Sequence, residues 1–252
     1  MIVTFLGTGT SQGVPVIGCD CQVCSSLDFR DQRFRASVWI EVDGQSIVVD
    51  TGPDFRQQML RERVRKLDAV LFTHEHKDHT AGLDDVRSFN FLQQKDMPIY
   101  GRDTVIKNIR NEYHYAFAEK KYPGVPSITT NNVDGQFDIA GTEITPIDVL
   151  HYKLPVHGYR IKDFVYITDA KTIDQSEIEK IKGCEVLVLN ALQREPHISH
   201  FTLQEALEFI DFINPKRAFL THISHKMGLH KNVSEELPDG VSIAYDGLKI
   251  SI

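Results

Sequence analysis

Four side chains that could bind a metal ion occur within six positions of the chain. They are His74, His76, Asp78 and His79, in the segment Thr73-His74-Glu75-His76-Lys77-Asp78-His79. The apolar run 69–72 comes directly before them and predicts a buried strand that ends in a polar loop. His74 and His76 are two positions apart, so on an extended backbone they point to the same side. Because Asp78 and His79 follow after a turn and can face a second point nearby, the whole set suits two divalent cations rather than one.

Four further residues could extend this site, because each stands at or just after an apolar run that predicts a strand. They are Asp50, His151, Asp169 and His222. Each alone is as consistent with an ordinary polar strand end. Strand ends hold side chains in place while leaving them accessible, so together with the histidine loop the four are interpreted as one site. A solvated loop with chance histidines is the disfavoured alternative.

Three of the four cysteines are clustered as Cys19-x-Cys21-x-x-Cys24. In a chain without secretory features, such a cluster favours a metal site over a disulfide. Three thiolates need a fourth ligand, and His225 is the candidate. A closed Cys₃His tetrahedron of this kind predicts a structural zinc site, and reduced thiols in a mobile loop are the alternative. Cys184 precedes an apolar run and is predicted to be a small core residue.

The composition is that of a globular protein, with 41% hydrophobic and 25% charged residues among 252. No apolar run approaches the ~18 residues of a membrane span. Residues 1–7 lack the features of a secretory signal, so we expect a cytoplasmic protein without membrane contact. The net charge of −7 gives no general attraction to nucleic acid. A local group of basic residues is interpreted as the solvated face of a helix: Arg56, Arg61, Arg63, Arg65 and Lys66.

Strand and helix patterns alternate without a linker, which predicts one domain over residues 1–252. Asp43-Gly44 is typical of a hairpin turn, and Thr202 with Glu205 forms a capping box that opens a helix. Helices are also predicted over 54–64, 103–118 and 172–182, and residues 119–135 are predicted to be loop-rich. The fold class that follows is α/β: two mixed β-sheets face to face with helices on the outer faces.

The ordered series of Asp and His motifs resembles the five-motif signature of the metallo-β-lactamase superfamily, over essentially the whole chain. The resemblance implies the αββα sandwich and two active-site cations. It assigns His74, His76 and His151 to one metal, and Asp78, His79 and His222 to the other. Asp169 would bridge the two ions, and Asp50 would orient a ligand histidine.

Two departures narrow the resemblance. Position 76 is His and not Glu, unlike the di-iron oxygen-reducing branch, and position 169 is Asp and not the Cys of many true β-lactamases. The branches of the superfamily that are still compatible with the sequence hydrolyse phosphodiesters, thioesters or lactones. Zinc, manganese and iron all accept such nitrogen and oxygen ligands.

Three features resemble the phosphoribosyl 1,2-cyclic phosphate phosphodiesterases and the pyrroloquinoline quinone biosynthesis B proteins. They are the opening Gly7-Thr8-Gly9-Thr10-Ser11-x-Gly13-Val14-Pro15, the cysteine triplet and Thr221-His222-x-x-His225. The resemblance implies cleavage of a small cyclic or nucleotide-like phosphodiester at a dinuclear site beside a structural zinc, and a homodimer. Asp78 and His200 become the candidate catalytic residues, with His200 as general acid by position. His200 could instead be a neighbour of a helix cap. His197 and His157 could also line the cleft, and no catalytic or ligand role is assigned to either.

Other functions remain as alternatives. A transfer-RNA 3′-processing endonuclease shares the motifs but usually carries a long arm, which the chain lacks. A thioesterase, a lactonase or a non-catalytic metabolite-binding protein could use the same fold. A nucleic-acid zinc module is disfavoured because no basic residues flank the cysteines.

Overall fold

Two β-sheets pack face to face in the computed structural model, which describes residues 1–252. The strands are β1 (Ile2–Gly7), β2 (Ser37–Val42), β3 (Gln45–Val49), β4 (Ala69–Leu71), β5 (Met97–Gly101), β6 (Ile128–Asn132), β7 (Phe137–Ile139), β8 (Thr142–His151), β9 (Leu154–Ile161), β10 (Phe164–Ile167), β11 (Thr172–Ile173), β12 (Val186–Asn190), β13 (Arg217–Thr221), β14 (Val241–Ile243) and β15 (Lys249–Ser251). The helices are α1 (Phe55–Glu62), α2 (Lys77–Thr80), α3 (Arg87–Gln93), α4 (Asp103–Glu112), α5 (Gln175–Ile181), α6 (Leu203–Ile213) and α7 (His230–Glu236).

Both sheets combine an antiparallel half with a parallel half. The first has the order β15-β1-β2-β3-β4-β5-β6 and becomes parallel from β3 onward. The second has the order β11-β8-β9-β10-β12-β13-β14 and becomes parallel from β10 onward, with β7 paired to β8. Parallel strands end at a common edge of their sheet, so the polar residues that follow them meet at one rim of the sandwich.

Three apolar clusters separate four layers. The cluster between the sheets contains Phe5, Ile40 and Tyr166. A second packs α1, α3 and α4 on the outer face of the first sheet, and a third packs α5, α6 and α7 on the outer face of the second. The predicted αββα sandwich of two mixed sheets is therefore confirmed.

The predicted capping box is present at the start of α6. Thr202 Oγ1 accepts from the Glu205 backbone N–H at 3.2 Å, and Glu205 Oε2 accepts from the Thr202 N–H at 2.8 Å. Two backbone amides that have no partner within the helix are thereby satisfied, which fixes where the helix begins. The residues just before it, including His200, are held against the rim.

Several predicted boundaries were wrong. The 172–182 helix begins as the short strand β11, and the helix from 103 stops at Glu112. The loop-rich stretch contains β6, a mostly polar edge strand whose pattern lacks apolar alternation. The polar helix α7 was not predicted. None of the helices combines the length and apolar character needed to cross a bilayer.

Candidate metal centre

Asp50 anchors the histidine loop from the end of β3. Its Oδ1 accepts from the Thr73 backbone N–H at 2.9 Å and its Oδ2 from the Thr73 hydroxyl at 2.8 Å. Oδ2 also lies 2.7 Å from Nδ1 of His79. Asp50 and His79 are both completely buried. One carboxylate therefore ties the segment after β4 to α2.

Three residues at strand ends adopt a left-handed backbone that side chains rarely occupy. Their φ values are 64° at Asp50, 56° at Asp169 and 57° at His222. Such a conformation costs about 1–3 kcal/mol and persists only where the surroundings hold it. The sharp turn after β3, β10 and β13 brings each side chain to the rim.

Four predicted ligands form one compact group: Asp78, His79, Asp169 and His222. Their ligand atoms all lie within 4.8 Å of one another. His79 Nε2 is 3.1 Å from Asp78 Oδ2 and 3.3 Å from Asp169 Oδ2, and His222 Nε2 is 3.2 Å from Asp169 Oδ1. Adjacent ligands on an ion with bonds of about 2.1 Å are about 3.0 Å apart in octahedral and about 3.4 Å apart in tetrahedral geometry. The group thus has the spacing of a coordination shell.

The other three predicted ligands face this group. The ring centroids of His74 and His76 are 4.6 Å apart, and those of His76 and His151 are 5.3 Å apart. Ligand atoms of His151 and Asp169 also lie within 4.8 Å of each other. Asp169 therefore stands between the two groups, where a bridging carboxylate would stand.

Hydrogen bonds place the ring proton of three ligand histidines on Nδ1. His79 Nδ1 donates to Asp50, and His151 Nδ1 donates to the Ser199 carbonyl at 2.9 Å. The Thr73 hydroxyl gives its only proton to Asp50, so at 3.0 Å from His74 Nδ1 it must accept. In each ring Nε2 is left with a lone pair, which is the form that binds a metal.

Several buried ring nitrogens lack hydrogen-bond partners, as expected for atoms that bind a metal ion. They are Nε2 of His74, Nε2 of His79 and both ring nitrogens of His222. Buried polar atoms are rarely left unpaired. Burial lowers the pKa of His79, but Asp169, Asp50 and Asp78 outweigh it and raise that pKa well above its usual range. The site favours positive charge, and its residues fit divalent cations.

The three clustered cysteines lie around His225. Its Nδ1 lies 3.3 Å from Cys19 Sγ, 3.4 Å from Cys21 Sγ and 3.5 Å from Cys24 Sγ. With Zn–S of about 2.3 Å and Zn–N of about 2.0–2.1 Å, a tetrahedral ion separates sulfur from nitrogen by about 3.5 Å. The backbone N–H of Cys24 lowers the pKa of Cys21 to about 6, whereas burial raises the pKa of the neighbouring Cys24 thiol to about 11, so one thiolate is favoured in the absence of an ion. All four cysteines are free thiols, and Cys184 is buried in the core.

His200 lies on the wall of the same site. Its Nε2 is 3.1 Å from Asp169 Oδ1, and its ring stacks on His222 at 4.9 Å between centroids. Burial lowers the pKa of His200 to about 4, with Asp169 opposing. The imidazole is therefore less basic than that of an ordinary histidine. His157 bonds Asp148 instead, at 3.2 Å, away from the ligands.

Two supporting residues were not predicted from the sequence. Thr73 and Ser199 each hold a ligand histidine through an oxygen atom. Thr73 stands in the histidine segment and Ser199 stands next to His200. The Ser199 carbonyl reaches His151 from a distant segment, and the acceptor role of Thr73 depends on its hydrogen bond to Asp50, which is also distant in sequence. No local sequence signal marks them.

Comparison with known proteins places this geometry in a family. The sequence model of the beta-lactamase superfamily domain matches residues 45–223. A crystal structure of a diphosphatase from the PhnP family matches with a TM-score of 0.93 and 36% identity, over 100% of this chain and 97% of that chain. Zn²⁺-bound PqqB from Methylobacterium extorquens has a TM-score of 0.80 over the full length of both chains and, at 19% identity, shares the fold.

Two curated proteins are similar in sequence but longer. An octanoyltransferase of Porphyromonas gingivalis is 41% identical over 98% of this chain, and a ribonuclease Z of Staphylococcus epidermidis is 26% identical over 83%. The chain spans about half of the first protein (51%) and 61% of the second.

Proposed function

This chain belongs to the PhnP family within the beta-lactamase superfamily of metallo-β-lactamase-fold hydrolases, and we propose that it hydrolyses small phosphodiesters or the phosphoanhydride bond of diphosphates. One observation carries the proposal. Two groups of candidate metal ligands meet at Asp169, and His200 Nε2 lies 3.1 Å from the same carboxylate. A site of this form combines cation binding with a proton donor.

The donor set defines which residues would hold the cations. His74, His76 and His151 would hold one, and Asp78, His79 and His222 the other, with Asp169 shared. When bound, two divalent ions lower the pKa of water toward neutrality and stabilise charge on phosphoryl oxygens. The nitrogen and oxygen donors suit zinc, manganese or iron.

The protein's own residues hold protons on particular ring nitrogens of the histidines and transfer a proton to the substrate. Asp50 keeps the proton of His79 on Nδ1, and the Ser199 carbonyl does the same for His151. His200 Nε2 is the nitrogen that faces the site, and we assign it proton transfer to the leaving oxygen. An anionic phosphate beside that imidazole would raise its pKa, so substrate binding itself favours the protonated form.

A small anionic substrate is favoured over RNA. The net charge of −7 opposes binding to a long phosphate backbone. The PhnP-family structure is named a diphosphatase, which points to phosphorus as the atom attacked. Leaving oxygens of phosphate esters benefit from an acid, and His200 supplies one.

The proposal is tested with a substrate panel on the metal-loaded protein. The panel contains bis-p-nitrophenyl phosphate, a cyclic phosphodiester, a diphosphate diester and an octanoyl thioester. We expect hydrolysis of at least one phosphorus substrate, abolished in Asp169→Asn. Hydrolysis of the thioester alone would contradict the proposal.

Thioester hydrolysis is the second candidate, because a protein named octanoyltransferase is 41% identical over nearly the whole chain. A thiolate leaves without protonation, so this reaction would not need His200. His200→Ala would then leave turnover unchanged, whereas it should slow a phosphodiester with a poor leaving group. The same variant therefore separates the two activities.

A further inference from the structure

A cavity of about 500 Å³ opens on the rim of the sandwich opposite the metal centre. Its wall is formed by the Asp43-Gly44 hairpin turn, the segment between α1 and β4, and the turn before β10. These segments stand at the starts of β3, β4 and β10, whereas Asp50, His74 and Asp169 follow the ends of the same strands. Since a strand rises about 3.3 Å per residue, the length of β3 separates the cavity from the metal centre by roughly 15 Å.

Positive charge predominates around this cavity, although the chain as a whole has a net charge of −7. The charged residues of its lining are Arg63, Arg65, Lys66 and Lys162 against Glu41 and Asp43. Lys162 Nζ pairs with Asp43 Oδ1 at 2.5 Å, and Lys66 Nζ lies 2.8 Å from Asp68 Oδ2, whereas the two arginines have no carboxylate partner. Two unpaired guanidinium groups therefore face one unpaired carboxylate, that of Glu41.

The end of α1 determines how the two arginines are presented. Arg63 follows the helix in a left-handed backbone conformation with φ of 54°. Val64 is buried in the apolar cluster beneath α1, while Arg63 and Arg65 on either side of it are exposed. The basic residues after α1 are therefore not the solvated face of that helix, as the sequence predicted, but part of the cavity wall.

Trp39 gives the cavity an aromatic wall and is the only tryptophan of the chain. Its ring packs against the apolar cluster beneath α1 and stays partly exposed. The indole N–H donates to Ser46 Oγ at 2.8 Å, and that hydroxyl donates to the Lys66 carbonyl at 2.5 Å. These bonds fix the indole relative to the basic segment before any ligand binds, which lowers the entropic cost of binding.

We propose that this cavity is a second binding site, separate from the metal centre, for a nucleoside monophosphate. Guanidinium groups bind phosphate through paired N–H donors, and aromatic rings stack on nucleobases. The volume lies within the roughly 300–1,000 Å³ of small-molecule sites. Only three of the twelve lining residues are hydrophobic, which disfavours an acyl chain as the ligand. The proposal does not depend on the reaction assigned to the metal centre.

Fluorescence titration of the zinc-loaded protein tests the proposal, because all of its tryptophan emission comes from Trp39. The titrants are AMP, adenosine and inorganic phosphate. We expect AMP to change the emission saturably, with half-saturation below about 1 mM. Adenosine lacks the phosphate and inorganic phosphate lacks the base, so each should bind about tenfold more weakly or worse.

A double variant with a matched control locates the binding. Arg63→Ala combined with Arg65→Ala removes both unpaired guanidinium groups from exposed positions and should weaken AMP binding at least about tenfold. Arg56→Ala removes an exposed arginine of α1 that does not line the cavity, and it should bind AMP as the wild type does. Thermal unfolding of the variants checks that their folds are intact.

Three results would overturn the proposal. They are the absence of a saturable change with AMP, equal AMP affinity in the double variant and the wild type, and inorganic phosphate that binds as tightly as AMP. The last result would reduce the cavity to a simple anion site. Each of these outcomes leaves the hydrolysis assigned to the metal centre untouched, because AMP is neither a phosphodiester nor a diphosphate.

Discussion

Asp50 Oδ2 lies 2.7 Å from Nδ1 of His79, and neither side chain is exposed to solvent. The same carboxylate receives both hydrogen-bond donors of Thr73. A single buried charge thus sets the tautomer of one predicted ligand and the backbone position just before another. We therefore expect metal affinity at this site to depend on a residue that is not itself a predicted ligand.

Replacing Asp50 should therefore weaken metal binding without removing a ligand. Asp50→Asn keeps the shape but loses the charge and an acceptor, and we expect about 10–100-fold weaker binding of one active-site ion. Competition with a chelator measures the affinity. Asp134→Asn, at an exposed position, is the matched control. An unchanged affinity in Asp50→Asn would remove Asp50 from the metal centre.

Gly52 permits the close approach of α2 to the loop after β3. A Cβ at position 52 would lie 2.2 Å from the carbonyl oxygen of Asp78, a backbone atom that cannot rotate away. We expect Gly52→Ala to lower the free energy of unfolding by about 1–3 kcal/mol, with reduced metal affinity because Asp78 moves. Gly135→Ala, where a Cβ meets nothing within 4 Å, should be neutral in the same denaturation measurement. Equal free energies of unfolding for Gly52→Ala and the wild type would show that the loop tolerates a displacement of Asp78.

The proposed zinc site of the cysteines should be separable from the proposed dinuclear site. Cys21→Ser should remove one zinc ion per chain and lower the melting temperature, while the two active-site ions remain. Cys184→Ala changes a buried thiol outside the cluster and should keep all the zinc. Metal analysis by mass spectrometry checks both variants, and full zinc content in Cys21→Ser would exclude the site.

A buried histidine away from both metal sites should make stability fall in acid. His230 Nδ1 lies 3.2 Å from Arg33 Nη2, and burial together with Arg33 and Arg30 lowers the pKa of His230 to about 4. Above pH 6.5, which is about the pKa of a histidine in the unfolded chain, His230 is neutral in both the folded and the unfolded protein. It then does not lower the free energy of unfolding. Between pH 6.5 and pH 4, His230 gains a proton in the unfolded chain but not in the folded chain. The free energy of unfolding is therefore lower by roughly 3 kcal/mol at pH 4.

The contribution of His230 is isolated by difference. His230→Asn keeps an acceptor for Arg33 and does not titrate. Urea unfolding at several pH values should show the wild type losing stability relative to this variant as the pH falls from 6.5 to 4. Parallel curves would mean that His230 does not contribute.

The grouping of the candidate ligands could be predicted because most of them stand at or just after an apolar run, and strand ends in such a fold share one rim. His74 and His76 needed only the two-residue period of an extended chain. The resemblance assigned Asp169 and His222 to the same site as these histidines. In the structure, His222 Nε2 lies 3.2 Å from Asp169 Oδ1. The capping box at Thr202 is a similarly local signal.

What could not be predicted depends on contacts between distant segments. The tautomers of His74 and His151 depend on Thr73 and Ser199, and the low pKa of His200 depends on its burial. The strand β6 was missed because an edge strand with one exposed face can be as polar as a loop. Local periodicity carries no information on such contacts.

The proposed function is tested most directly by measuring hydrolysis of bis-p-nitrophenyl phosphate against the number of metal ions bound per chain. Metal-stripped protein is titrated with zinc or manganese, and bound metal is determined by mass spectrometry at each point. We expect saturation at about three ions per chain, with turnover that appears only as the two active-site ions are added. Three bound ions without hydrolysis of this or any other phosphate ester, or turnover that is independent of bound metal, would contradict it.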